Sequence, residues 1–223
     1  MSRHPTDCYI TSPEAAVALK QWWPVLYNAE FLASALIIDP FAGPGTLARW
    51  VSQPSNPIVV RELDPRWADE LRWRHHVVWC PRDSLQGAWT DDYQYDEALL
   101  VTNPPYSRTA EAVALARRFA AAPGHASWLL LREDWFSHPG RPLPHYHLKL
   151  RWRPAMGLQL DKRSGKRRPG TDWAGYVWAG WGWPSSGDEK HGDMWALDRP
   201  EVPAEWRADH RRLLEIADAM RAA

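Results

Sequence analysis

The apolar positions of this chain fall into short runs, each closed by a polar turn. Ala35 to Asp39 (Ala-Leu-Ile-Ile-Asp), Ile58 to Val60, Val77 to Cys80, Ala98 to Val101 and Trp128 to Leu131 are near-continuous apolar stretches, with the length and texture of strands buried on both faces. Helical patterns lie between them. Residues 12–23 predict a helix, with Ser12 at the N-cap, Pro13 at the first helical position, Glu14 in the first turn and Pro24 as its stop. Thr46 to Val51, Arg66 to Arg74 and the Ala-rich stretch 109–121 predict three more. Strands alternating with helices predict an α/β fold: a doubly wound, mostly parallel sheet with helices on both faces. In such sheets ligands sit outside the carboxyl ends of the strands. Every conspicuous polar cluster of this region falls at such an end: Asp39, Glu62 with Asp64, Asp83, and Asn103.

After residue 138 the texture changes, and Pro, Trp and Gly become frequent. Leu148 to Trp152 and Trp173 to Trp183 predict strands. The aromatic series Trp173, Tyr176, Trp178, Trp181 and Trp183 favours sheet core over a base-stacking platform. Between them runs Lys162-Arg163-Ser164-Gly165-Lys166-Arg167-Arg168, five positive charges in seven residues. Residues 185–193 read as a polar loop. Residues 204–222 predict an amphipathic helix with Trp206, Leu213, Ala217 and Met220 on its apolar face.

Composition narrows the picture. The 223 residues, 45% hydrophobic and 24% charged, fit one globular domain spanning 1–223. The apolar runs are too short to cross a bilayer. The opening MSRHPTDCYITSPE has no apolar signal core, so a cytoplasmic protein with no membrane partner is expected. Two cysteines, Cys8 and Cys80, build neither a disulfide framework nor a zinc pattern. His145 and His147 lack a third ligand, so no metal is expected. Lys plus Arg and Asp plus Glu both number 27, so nucleic acid is not bound through bulk charge, only through a local patch such as Lys162 to Arg168.

Candidate chemistry sits at the strand ends. Asp39-Pro40-Phe41-Ala42-Gly43-Pro44-Gly45-Thr46 is a glycine turn that allows close approach of a ligand to the backbone. It lacks a P-loop lysine and does not match G-x-G-x-x-G. Glu62, ending the next strand, is suited to accept from two ribose hydroxyls. The sharpest signal is Asn103-Pro104-Pro105-Tyr106 after the fourth strand.

In the order TSPE, DPFAGPG, RELDP, RDS and TNPPYS, the chain resembles the amino-group (N6-adenine) DNA methyltransferases that use S-adenosylmethionine. The resemblance covers about residues 9–135, a cofactor-binding and catalytic core. Residues 136–223 would then supply C-terminal strands, a basic loop and a helix for nucleic-acid contact. The stretch from Arg153 to Trp178 is similar to small phage and prophage adenine methyltransferases. The resemblance implies a class I methyltransferase fold, Rossmann-like, in which the two C-terminal strands form an antiparallel hairpin, and S-adenosylmethionine as cofactor. It implies that Thr11 helps hold the methionine carboxylate and that Asp39, Phe41, Gly43 and Gly45 line the methionine and sulfonium. Glu62 would bind the ribose, and Asp83 would accept from the cofactor's adenine amine beside the Ser84 backbone.

The implied catalysis is physically coherent. The exocyclic amine of adenine is a weak nucleophile because its lone pair is delocalised into the ring. The Asn103 side-chain oxygen and the Pro104 carbonyl would accept its two N–H bonds and stabilise positive charge developing on nitrogen. Proline fixes φ and offers no competing N–H. Tyr106 would stack on a base extruded from duplex DNA. Lys162, Arg163, Lys166, Arg167 and Arg168 would contact phosphates. The same tetrapeptide also serves cytosine N4, amines of adenine or guanine in RNA, and the glutamine side chain of proteins. A methyltransferase fold kept as a non-catalytic DNA- or partner-binding module is the alternative of a different class.

Overall fold

The structure, a computed structural model, describes residues 10–71, 77–80, 83–86, 95–150, 175–182, 192–195 and 200–222. Its elements follow the apolar pattern closely. Helix α1 (Pro13–Leu26) begins as expected: the Ser12 hydroxyl accepts from the Ala15 N–H at 3.3 Å, and Pro13 occupies the first turn. It does not stop at Pro24. That proline lies in the last turn, where its missing N–H costs a single bond, and the Tyr27 N–H still reaches the Trp23 carbonyl at 2.8 Å. A short helix α2 (Ala29–Ser34) follows. The sequence pattern does not predict it, although Asn28 caps it by accepting from the Phe31 N–H at 2.8 Å.

Then come β1 (Leu36–Asp39), α3 (Thr46–Val51), β2 (Ile58–Arg61), and a 3-10 turn (Pro65–Trp67) leading into α4 (Ala68–Leu71). The expected continuation of α4 to Arg74 lies outside the described residues. Strands β3 (Val77–Cys80) and β4 (Ala98–Thr102) precede α5 (Thr109–Phe119), and β5 (His125–Arg132) is longer at both ends than its apolar run. The C-terminal part contributes β6 (Tyr146–Lys149), β7 (Tyr176–Gly182), β8 (Gly192–Trp195) and α6 (Ala204–Ala222). β8 replaces part of the expected polar loop. Edge strands are specified by the neighbour they pair with more than by their own composition. Trp173 and Trp183 lie outside the described residues.

One eight-stranded sheet results, in the order β3-β2-β1-β4-β5-β7-β6-β8. β1 to β5 are parallel to their neighbours within that group. β7 inserts antiparallel between β5 and β6, with Leu129 opposite Ala179 and Leu148 opposite Trp178, and β8 runs parallel to β6 at the edge. The expected doubly wound, mostly parallel sheet and its antiparallel hairpin are both present.

Alternate residues of each strand face opposite layers. Ile37, Val60, Leu99, Trp128, Leu130 and Trp178 pack with residues of α1, α3 and α6, whereas Leu36, Ile38, Val59, Leu129, Leu131 and Trp181 pack with α5. Tyr176, Trp178 and Trp181 are all buried, so the aromatic series serves the core over the described residues. Two buried indoles fasten α1 to the sheet: Trp128 donates to the Tyr27 hydroxyl and Trp178 to the Ala15 carbonyl, each at 2.9 Å. On α6, Leu213 and Ala217 are buried, with Trp206 and Met220 packed beside them. Trp206 stacks on Trp50 at 5.5 Å, and Arg212 pairs with Glu70 at 2.7 Å.

Gly180 of β7 lies against the Trp128 ring, and a Cβ there would come within 2.9 Å of it. The ring is fully buried and held by Tyr27, so it has little room to yield. Gly180→Ala is expected to cost about 1–3 kcal/mol through overpacking, read as a lower urea midpoint with unchanged m-value.

Candidate active site

The parallel register sets the carboxyl ends of β1, β2, β3 and β4 side by side, and the polar clusters meet there. The loop after β1 turns on two glycines, Gly43 (φ 52°) and Gly45 (φ 76°), in the left-handed region that side chains disfavour. Pro44 is buried between them. The Gly45 N–H donates to the Ala42 carbonyl at 2.8 Å, and the Ala42 N–H to the Arg61 carbonyl at 3.0 Å.

Glu62 pins this loop to β2. One carboxylate oxygen accepts from the Gly43 N–H at 2.6 Å and the other from the Asp64 N–H at 2.8 Å. Burial raises the Glu62 pKa, and the bonds from Asp64 and Gly43 oppose that rise. Asp39, 1% exposed, accepts on one oxygen from the Thr102 hydroxyl at 2.7 Å and from the Phe41 N–H at 3.2 Å. Burial pushes its pKa up to about 7 against those two bonds.

The tetrapeptide follows β4 directly. Asn103 and Pro104 are buried, and Pro105 and Tyr106 half-buried. The Tyr106 hydroxyl donates to the Asn103 side-chain oxygen at 2.7 Å. The Tyr106 ring lies tilted against Tyr176 of β7, with centroids 5.9 Å apart. Beyond β3, one Asp83 oxygen accepts from the Leu85 N–H at 3.0 Å, and the other from the Arg108 guanidinium at 3.0 Å. Ser84 is buried beside it, and Thr11 is buried just before the cap of α1.

The structure therefore brings together Asp39, Phe41, Gly43, Gly45 and Glu62 around one loop, and joins Asn103 to Tyr106 and Asp83 to the segment after the tetrapeptide. Lys162, Arg163, Lys166, Arg167 and Arg168 lie outside the described residues. The flanks of segment 151–174 are placed: the Leu150 N–H donates to the Tyr176 carbonyl at 3.2 Å, and the Gly175 carbonyl accepts from the Glu133 N–H at 2.9 Å. His145 accepts from the Gly182 N–H at 3.2 Å, and His147 packs edge-on to Phe136. Among the described residues no three His, Cys, Asp or Glu side chains are grouped to hold a metal ion, and no helix is long and apolar enough to cross a membrane.

Sequence reasoning misses four residues of this region. Thr102 immediately precedes the tetrapeptide, Arg108 closely follows it, Tyr176 touches its tyrosine, and Leu63 projects between Glu62 and Asp64, 56% exposed. A signal exists for two of them. An apolar residue between two carboxylates is unusual in a turn, and Arg108 stands at the first cap of α5, where Ser, Thr, Asp or Asn is preferred.

No family model and no curated protein matches the sequence. Solved structures do match in fold. A Listeria monocytogenes protein assigned as a class I S-adenosylmethionine-dependent methyltransferase is 12% identical, with a TM-score of 0.54 over 93% of this chain and 71% of that one. A predicted O-methyltransferase from Agrobacterium tumefaciens is 14% identical, with a TM-score of 0.50 over 91% and 96%. A Pyrococcus horikoshii protein assigned as an RNA methyltransferase is 13% identical, with a TM-score of 0.52 over 80% and 89%. The chain has the class I methyltransferase fold.

Asp39 makes stability depend on pH in a definite direction. Its carboxyl rises from 3.8 to about 7 on burial, so between those values the folded state holds a proton that the unfolded state has lost. Stability contributed by Asp39 is full below about pH 4, falls as pH rises towards about 7, and is level above. Asp39→Asn is expected to flatten this falling limb in denaturation curves taken across the range; Glu62, raised by burial, adds a decline of like sign, and His210, lowered by burial, adds a rise towards its ordinary value.

Proposed function

We propose that this chain transfers a methyl group from S-adenosylmethionine to the exocyclic N6 amine of adenine in DNA. One observation carries the reading: Asn103-Pro104-Pro105-Tyr106 follows β4 next to the glycine loop of β1, and the Thr102–Asp39 hydrogen bond holds the two ends together. That adjacency sets two neutral acceptors, the Asn103 oxygen and the Pro104 carbonyl, beside the loop suited to the methyl donor.

The residues present fit that donor. Glu62 accepts from the backbone on both oxygens, and a carboxylate's remaining lone-pair capacity is available to ribose hydroxyls. Leu63 offers an exposed apolar face to a purine, Asp83 a carboxylate to its amine, and the side-chain-free glycines a close approach to the backbone. When bound, S-adenosylmethionine supplies an electrophilic methyl group on a sulfonium. Thr11 would hold the methionine carboxylate, with Asp39 and Phe41 lining the same end.

The protein's own part is to bind and polarise the amine. Asn103 and Pro104 would each accept one N–H, which makes the nitrogen more electron-rich and stabilises its developing charge. Tyr106 stacks on the flipped base. Its hydroxyl also fixes the Asn103 amide with the oxygen held in place. Neither acceptor is basic at neutral pH, so the amine's surplus proton leaves to solvent.

DNA as the substrate is supported by the placement of the basic segment's flanks. Leu150 and Gly175, the described ends of the connection whose sequence carries five positive charges in a chain with no net charge, both lie beside Tyr176, which touches Tyr106.

Tritiated methyl transfer, with unmethylated duplex DNA, total RNA and protein lysate offered separately, tests the reading. Label recovered as N6-methyladenine in DNA is expected. N4-methylcytosine would move the target, and label only in RNA or protein would overturn the substrate. Asn103→Ala is expected to lower transfer by about 10²–10³-fold, as removal of one transition-state acceptor, while calorimetry still shows S-adenosylmethionine binding. Replacing Lys162, Arg163, Lys166, Arg167 and Arg168 with Gln should weaken DNA binding and reduce its salt slope by about 0.9 for each phosphate that the protein then leaves unneutralised.

A further inference from the structure

Arg108 breaks a local rule. It occupies the N-cap of α5, where a cation opposes the positive end of the helix dipole and supplies no acceptor for the exposed N–H groups. No side chain caps that end of the helix. Its neighbour Thr109 is a good capping residue, yet the Thr109 hydroxyl donates to the Tyr106 carbonyl at 2.9 Å. Residues that violate a local preference mark places where another requirement dominates.

The requirement is visible in what Arg108 holds. Its Nε donates to Glu111 at 2.9 Å, Nη2 donates to the other oxygen of Glu111, and Nη1 donates to Asp83 at 3.0 Å. The pair is largely shielded, with side-chain exposures of 17% for Arg108 and 16% for Asp83. Its backbone N–H donates to the Pro105 carbonyl at 2.9 Å, closing the 3-10 turn Tyr106–Arg108. One residue thus ends the turn after the tetrapeptide and grips Asp83, the carboxylate proposed to meet the cofactor's purine. On the other side of the tetrapeptide, Thr102 grips Asp39. Both flanks of Asn103 to Tyr106 are tied to carboxylates of the cofactor site.

We infer that Arg108 is a positioning residue that couples cofactor binding to the order of the catalytic turn. This rests on the reading that S-adenosylmethionine occupies the site. A purine lying over Asp83 excludes water, and an ion pair in lower dielectric is stronger. The cofactor therefore favours the state in which Arg108 is seated on Asp83, and that state holds Tyr106 and, through its hydroxyl, Asn103. A ligand shifts such an equilibrium only by its differential affinity for the two states. By reciprocity the seated turn also tightens the cofactor.

Hydrogen–deuterium exchange of segment 102–112, with and without saturating S-adenosylhomocysteine, tests the coupling, with binding followed in parallel by calorimetry. In the wild type the ligand is expected to slow exchange at the Tyr106 to Thr109 amides by about tenfold, within the usual range of coupling between sites. Arg108→Met keeps the aliphatic stem and removes the fork. It should bind several-fold more weakly and show no added protection even at saturation. Arg108→Lys keeps one charge for Asp83 and should recover part of the protection. Glu111→Gln weakens only the helix-side arm and should leave the protection in place.

Full protection in saturated Arg108→Met would overturn the inference, as would equal loss in Glu111→Gln, which would make Arg108 a helix cap and no more. Bound ligand without protection in the wild type would overturn the coupling and leave the methyltransferase reading standing. No binding by the wild type at all would sink that reading, and the inference with it.

Discussion

The hydrogen bond from Thr102 to Asp39 is the interaction on which the site depends. Asp39 is buried at the end of β1, and a carboxyl group in that position is costly unless its oxygens find donors. Thr102 supplies one from β4, a neighbour in space that is remote in sequence. The bond fixes the relative height of two loops, the glycine turn that leaves β1 and the tetrapeptide that leaves β4. β1 is flanked by β2 on one side and β4 on the other, so the chain reverses its direction of winding at this point. That is the crevice where open α/β sheets take their ligands. Removing the donor would leave the buried acid with the Phe41 N–H alone and the two halves of the site unregistered.

The abundance of tryptophan has a structural explanation. Trp50, Trp67, Trp128 and Trp178 are among the largest fully buried side chains. Large rings fill the space between the sheet and the helices packed on it. Two of them also carry a donor to α1, so that helix is positioned by specific bonds as well as by contact area. This matters for the site because Thr11 and Ser12 stand at the start of α1. The placement of the N-terminal segment is inherited from indoles in β5 and β7.

The five parallel strands, α1, α5 and α6 are legible in the sequence because each is a run or periodicity carried by its own residues. α6 begins and ends where its pattern does. β8 is not legible, since an edge strand is defined by β6, and α2 is too short to show a period. Pro24 misleads as a stop because the rule concerns helix interiors and this proline sits in a last turn. In the site, Asp39, Glu62, Asp83 and Asn103 announce themselves as polar residues at strand ends. Thr102 and Arg108 do not, because Asp39 and Asp83, which they hold, are remote in sequence. The link from Asp83 to Arg108 spans 25 positions and no local pattern encodes it. The Arg-rich basic segment is legible as charge alone, and it lies outside the described residues.

The insertion of β7 between β5 and β6 has a consequence for how such a chain can diversify. The connection 151–174 departs from Leu150 and returns at Gly175, one strand apart, and Leu150 is bonded to Tyr176 across that gap. Its ends are therefore fixed by the sheet whatever lies between them. The bonds that pair β6 with β7, and those around Asp39 and Asn103, are made by residues outside it. Length and composition between two such fixed ends are therefore less constrained by strand register than they are inside the sheet.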